Sequence, residues 1–290
     1  MTQAKFNNRS TAHNQIIEKM NKDPDYEITS KELRQLEQEY RWSAPGVSDD
    51  PSMIDFFDTP RVTLFGNLIR VWNTAFLAMH YSGAMKEEKK VRIVEVGAGR
   101  GESYRVMIST RLAKGARADI QLYDIDVRKK EFFNQMNPNK ADLFKIHDVR
   151  TGLPEEDCSC DVIFSTEFFE HIEKDEAIFY MEEAIRCLKE GGILITTTPN
   201  ASVRKNLTSI YHAYEWGAEE LKEKSEEIGF ETVDLHYQNV YLKEIEGELP
   251  EGYQNRISRD LLRFVYGIAS GKQGATTVLV SRKPVGEDSK

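Results

Sequence analysis

The chain has 290 residues, 40% of them hydrophobic and 30% charged, enough to bury a full core without metal or disulfide staples. Its net charge of −9, from 48 acids against 39 bases, disfavours nucleic acid as a partner, because a phosphate backbone would be repelled. The three cysteines, Cys158, Cys160 and Cys187, lack CxxC spacing and suggest neither a disulfide framework nor a zinc knuckle. With no apolar leader and no apolar run long enough to cross a bilayer, a cytoplasmic protein away from the membrane is expected.

Residues 1–55 are polar and read as a helical N-terminal arm, with helix-like segments over 11–21 and 30–42. Packing on the main domain is the expected role of this arm, ahead of a lid over a site. Residues 56–284 read as one domain with an insert at 241–274, and residues 285–290 as a loose charged tail. Within 55–85, Phe56, Val62, Leu64, Leu68, Val71, Trp72, Phe76, Leu77 and Met79 are spaced as buried helix faces, and Ser82-Gly83 supplies a stop.

The stretch VRIVEVGAGRGES, residues 91–103, organises the rest. Ile93, Val94 and Val96 make a buried strand, and Gly97, Gly99 and Gly101 follow before a helical segment over 104–112. Glycines there let backbone N–H groups approach a ligand where a Cβ would collide, and the helix start favours a polar or anionic group. The nicotinamide fingerprint needs another glycine where Glu102 stands, and a carboxylate there would repel a pyrophosphate, which disfavours an oxidoreductase.

Residues 119–123 read as the next strand, ending in Asp124, which lies 23 residues beyond Gly101. That is near the spacing at which a carboxylate at a strand tip accepts ribose hydroxyls; Asp126 is the alternative, and a helix-capping role the bland reading of either. A third strand is expected over 142–146, followed by His147-Asp148-Val149, and a fourth over 161–164 leading into STEFFEHI. Ile178, Met181, Ile185 and Leu188 then recur at helical spacing; Gly191-Gly192 should end that helix, and a fifth strand should run from Ile193 to Pro199-Asn200. A helix over 218–228, a strand over 230–240 and a last strand over 276–281 complete the domain, with a helix-like stretch over 257–268 inside the insert.

The VRIVEVGAGRG stretch resembles the first motif, acidic-x-Gly-x-Gly-x-Gly, of the S-adenosylmethionine-dependent methyltransferases of Rossmann-like fold. The run from DVIFSTEFFEHI to EEAIRCLKEGGILITTTPN is similar to the fourth-to-fifth strand region of small-molecule methyltransferases. The resemblance covers residues 91–200 and implies a three-layer α/β fold, a mostly parallel sheet with an antiparallel last strand, and methyl transfer to an O or N atom of an acceptor, a small molecule being expected. It places Glu95 near the amino end of the methionine moiety, Gly97, Ala98 and Gly99 beneath it with Gly101 closing the loop, Asp124 on the ribose, Ile125 against the adenine, and Asp148 with Val149 in the adenine loop.

Methyl transfer from a sulfonium is a one-step displacement that asks the protein mainly to align the reactants and remove a proton. Glu167, Glu170 and His171 follow the fourth strand on the ligand face, with His171 the natural base and Glu167 its companion. Glu167-x-x-Glu170-His171 with His212 also resembles the pattern of small-RNA 3′-terminal 2′-O-methyltransferases, which implies a divalent cation as an alternative. The same carboxylate-histidine pattern occurs in metal-free relatives, so the main reading carries no metal. A fold that binds the cofactor without turnover is the rival from another class, and the insert is open to a homodimer contact.

Overall fold

The computed structural model describes residues 61–84, 90–109, 118–203, 212–238 and 273–286. The arm at 1–55, residues 241–272 of the insert and residues 287–290 of the tail lie outside the described residues.

A seven-stranded sheet carries the chain: β1 Val91–Val96, β2 Ala118–Asp124, β3 Phe144–Ile146, β4 Cys160–Thr166, β5 Leu188–Pro199, β6 Glu231–Gln238 and β7 Thr276–Arg282. Their spatial order is β3-β2-β1-β4-β5-β7-β6, parallel throughout except for β7, which runs against both of its neighbours. The order reverses between β1 and β4, where the loops after the two strands diverge and leave a crevice. The expected fold class, with its antiparallel last strand, is the one observed.

Helices cover both faces, as the unbroken apolar character of the central strands requires. On one face α1, Arg61–Tyr81, and α2, Glu102–Ser109, join Phe133 of α3, Val127–Met136, in a core with Ile93, Leu122, Phe164, Ile195 and Val278. On the other, α4, Lys174–Cys187, and α5, Ala218–Ile228, pack Tyr180, Met181 and Leu221 against Val94, Ile163, Leu194 and Leu279. The helix foreseen over 55–85 is α1, and it ends at Ser82-Gly83, where Ser82 N donates to Ala78 O and Gly83 N to His80 O. Trp72 departs from expectation: it is 45% exposed and stacks on Phe76, while the buried face is built from Asn73, Thr74, Ala75, Ala78 and Met79.

Two boundaries differ from the sequence reading. The third strand was expected from 142, but Pro138, which pre-sets a helical φ, opens a 3-10 turn over Pro138–Leu143 that takes up Asp142, leaving β3 only Phe144–Ile146. The helix expected to stop at Gly191-Gly192 stops at Cys187, because Leu188 is already extended and pairs with Cys160. The glycines serve the strand instead: the register moves from Cys160↔Leu188 to Val162↔Ile193, and Gly191 takes a φ of +74° in the extra residues.

A candidate active site at the carboxyl edge of the sheet

The loops after β1, β2, β3 and β4 enclose a cleft of about 310 Å³. Of the residues singled out in the sequence, Gly97, Asp124, Ile125, Asp126, His147, Asp148, Val149, Glu167 and His171 line it. Glu95, Ala98, Gly99 and Gly101 are not among its lining residues, and act through the loop they shape.

Gly97, Gly99 and Gly101 have φ of +68°, +57° and +74°, which side chains rarely adopt. Space decides two of these positions as well: a Cβ on Gly101 would come within 2.5 Å of the Phe133 ring, and one on Gly97 within 2.8 Å of Phe168. Phe168 is a cleft-lining residue that the sequence reading passed over. An aromatic pair directly after a buried strand was the available signal; the ring stacks edge-on to Tyr180 and seats itself on Gly97.

Asp124 and Asp126 both line the cleft and differ in what holds them. Asp126 caps α3, its carboxylate accepting from Arg128 N and from the Arg128 guanidinium, and these contacts hold its pKa below the usual range despite partial burial. Asp124 is 5% exposed and faces the cleft. It accepts Gly99 N at 2.9 Å and Lys129 Nζ at 3.2 Å on one oxygen and Asp126 N at 2.9 Å on the other. A carboxylate offers about four acceptor positions, so one is left, and a second opens when the half-exposed Lys129 swings away. That capacity fits a sugar diol. Asp148 both caps the short turn Val149–Thr151, accepting from Arg150 N, and lines the cleft beside Ile125, which is 37% exposed and offers an apolar surface.

Glu95 is buried, with Ser103 as a hydrogen-bond partner and Oε2 left without one. Burial pushes its pKa up to about 8, and the charges of Glu102 and Asp124 push the same way. An unpaired acidic oxygen under the glycine loop fits the amino group of a methionine moiety. The residues present therefore suit S-adenosylmethionine at both of its polar ends.

Beyond β4 the chain turns sharply. Glu167 takes a φ of +50°, its N–H donates to Thr197 O at 3.0 Å, and its carboxylate receives Arg70 of α1 at 2.6 Å. Glu170 is buried under Thr198, whose hydroxyl donates to it at 3.0 Å. Burial raises the Glu170 pKa well above the carboxylate range, and the nearby charge of Glu167 adds to the rise. Its backbone carbonyl accepts from Ala213 and Tyr214 and so fastens the segment from His212 to Trp216 onto the site. His171 Nε2 approaches Glu170 Oε1 at 3.9 Å.

The four residues of the metal alternative do not converge. Glu167 turns to Arg70, Glu170 to Thr198, and His212 to Glu215 at 2.6 Å, while His171 meets His212 only ring edge to ring face at 5.5 Å. Among the described residues no three His, Cys, Asp or Glu side chains are grouped to hold a metal ion. No described helix is long and apolar enough to cross a membrane.

Comparison with known proteins agrees with this geometry. A family model described as a methyltransferase domain matches residues 71–258. The sarcosine/dimethylglycine N-methyltransferase of Aphanothece halophytica is 29% identical over 218 residues, 67% of this chain and 76% of its own. Among solved structures, an S-adenosylmethionine-dependent methyltransferase from Archaeoglobus fulgidus shares the fold at a TM-score of 0.52 and 16% identity, over 79% of this chain and 97% of its own. Phosphoethanolamine N-methyltransferase 2 of Haemonchus contortus, with phosphomonomethylethanolamine and S-adenosylhomocysteine bound, gives a TM-score of 0.50 and 16% identity over 74% of this chain and 53% of its own.

Proposed function

Because this chain belongs to the methyltransferase-domain family and takes its methyl group from S-adenosylmethionine, we propose that it methylates the nitrogen of a small polar amine. The observation that carries the reading is the pairing of two unlike carboxyls beyond β4: Glu167, paired with Arg70 at the cleft wall, and Glu170, buried under Thr198 with its pKa raised by burial. Two neighbouring carboxyls in such unlike surroundings divide the roles of proton acceptor and scaffold. The similarity to an N-methyltransferase of amino acids over two thirds of the chain supports nitrogen over oxygen.

The donor supplies a methyl on a sulfonium and leaves as a neutral thioether. The protein's share is to hold the nucleophile in line and to take one proton. Gly97, Asp124, Ile125 and Asp148 form the donor's side of the cleft, and Glu95 beneath the loop meets its amino end. Glu167 accepts the proton that an ammonium must shed before its lone pair is free to attack. His171, 37% exposed and lining the same cleft four residues on, is to receive it next and pass it to water.

The test is a methyl-transfer assay with S-adenosylmethionine against amines and matched alcohols. The reading expects turnover of amines only, falling about a hundredfold or more in Glu167→Gln and more modestly in His171→Asn. Alcohols turned over in preference to amines, or an undiminished Glu167→Gln, would overturn it.

A further inference from the structure

We propose that Lys129 is a built-in competitor for the donor's ribose: its ammonium takes an acceptor position on Asp124 that the sugar diol needs, and so it sets how tightly donor and product are held. The inference rests on the placement of the ribose at Asp124.

Both residues line the cleft, and they touch there. Lys129 Nζ lies 3.2 Å from Asp124 Oδ2, which also accepts Gly99 N at 2.9 Å, while Oδ1 accepts Asp126 N at 2.9 Å. A carboxylate has about four acceptor positions, and these three bonds leave about one. A ribose diol brings two hydroxyls. Gly99 N and Asp126 N are held by the turns that carry them, the first in the left-handed backbone of the glycine loop and the second at the start of α3, so the lysine is the donor that yields.

Three aspartate-cation pairs border this end of the cleft, and the one at Asp124 is built to open. Arg128 reaches Asp126, and Arg150 reaches Asp148, through two guanidinium bonds of 2.7 to 3.0 Å, and each arginine adds its own backbone N–H to the same carboxylate. Lys129 makes a single bond to Asp124, at the end of a flexible stem, with its side chain 41% exposed. An ion pair so open to water is weak and gives way to a ligand that replaces it. The backbone of Lys129 stays in the first turn of α3, where its N–H donates to Asp126 O at 3.1 Å. Once displaced, the ammonium remains in the field of Asp126, whose pKa it already helps to lower, so its charge need not cross the cleft. The cost falls on the ligand: when a fraction of the molecules has the acceptor position open, the apparent dissociation constant rises by the inverse of that fraction.

The experiment is calorimetric titration of the full-length protein with S-adenosylhomocysteine, which carries no net charge and so responds little to the loss of a distant cation. Lys129→Met should tighten binding by about two- to fivefold, the worth of a half-exposed ion pair. Lys129→Arg should bind no better than wild type, and Lys130→Met, a charge lost one position on from the cleft lining, should leave affinity unchanged. In an Asp124→Asn background Lys129→Met should bring no gain. The gain should also appear with adenosine and not with 2′,3′-dideoxyadenosine, which lacks the diol. Unchanged or weaker binding in Lys129→Met, an equal gain in Lys130→Met, or a gain that persists in Asp124→Asn or with the dideoxy ligand overturns the proposal. Equal affinity in wild type and Asp124→Asn takes the ribose away from Asp124, and the proposal falls with that placement; a Lys129→Met without gain beside a weakened Asp124→Asn removes the proposal alone.

Discussion

Asp124 and Asp126 stand two residues apart, and the backbone between them decides which can serve a ligand. Asp126 spends its oxygens on the first turn of α3 and on Arg128. Its replacement by alanine should cost about 1 kcal/mol of stability and leave affinity for S-adenosylhomocysteine unchanged, as chemical denaturation and calorimetry would show. A loss of affinity without loss of stability would reverse the two assignments. Spacing alone had left both aspartates open, because the sequence does not say which one the helix start will claim.

Glu95 illustrates a cost held inside the site. Its pKa stands near 8 in the folded protein against 4.5 for an unperturbed carboxyl, so within that window the folded state keeps a proton that the unfolded chain has lost. Stability therefore falls as pH rises from about 4.5 to about 8 and is diminished by a constant amount above that, at up to roughly 1.4 kcal/mol per pH unit. Glu95→Gln should flatten this dependence and stabilise the protein at neutral pH, as urea unfolding at pH 5 and pH 7.5 would reveal. An identical pH slope in wild type and variant would mean that Glu95 is ionised when folded. Burial of an acid beneath the glycine loop is the reason such a group persists where a hydrophobic residue would pack more cheaply.

At the scale of elements, the loop after β1 was legible because its three glycines need both their backbone conformation and their empty side-chain space. Gly101→Ala would force a methyl into the Phe133 ring and an L-residue into φ near +74°. A loss on the order of 3 kcal/mol is expected from denaturant unfolding at constant m, with Gly99→Ala milder because only the movable Glu102 carboxylate stands in its way. Equal losses at the two positions would mean that strain, and not packing, governs the loop. The helix over Ala218–Ile228 was readable to the residue, since Gly229 takes the left-handed turn that ends it. The end of α4 was not. Leu188 continues the helical period, yet it pairs with Cys160 as strand, a contact 28 residues away that no local pattern records. The early start given to β3 failed for a local reason, the proline that begins the 3-10 turn.

Across the whole molecule, the donor's side of the cleft is assembled from residues close to one another in sequence, from Gly97 to Val149, and so its motifs could be read in order. The acceptor's side is not local. Arg70 meets Glu167 across 97 positions of chain. Only the topology brings this pair together, which is why the sequence named Glu167 and His171 and passed over Arg70.

The most direct measurement of the central claim is calorimetric titration of S-adenosylhomocysteine into the wild type and into Asp124→Ala. The cleft between β1 and β4 should bind it in the wild type, and the variant should lose affinity by on the order of 2 kcal/mol, the worth of charge-assisted hydrogen bonds to a sugar diol. Equal affinity in the two proteins would contradict the placement of the donor at the tip of β2.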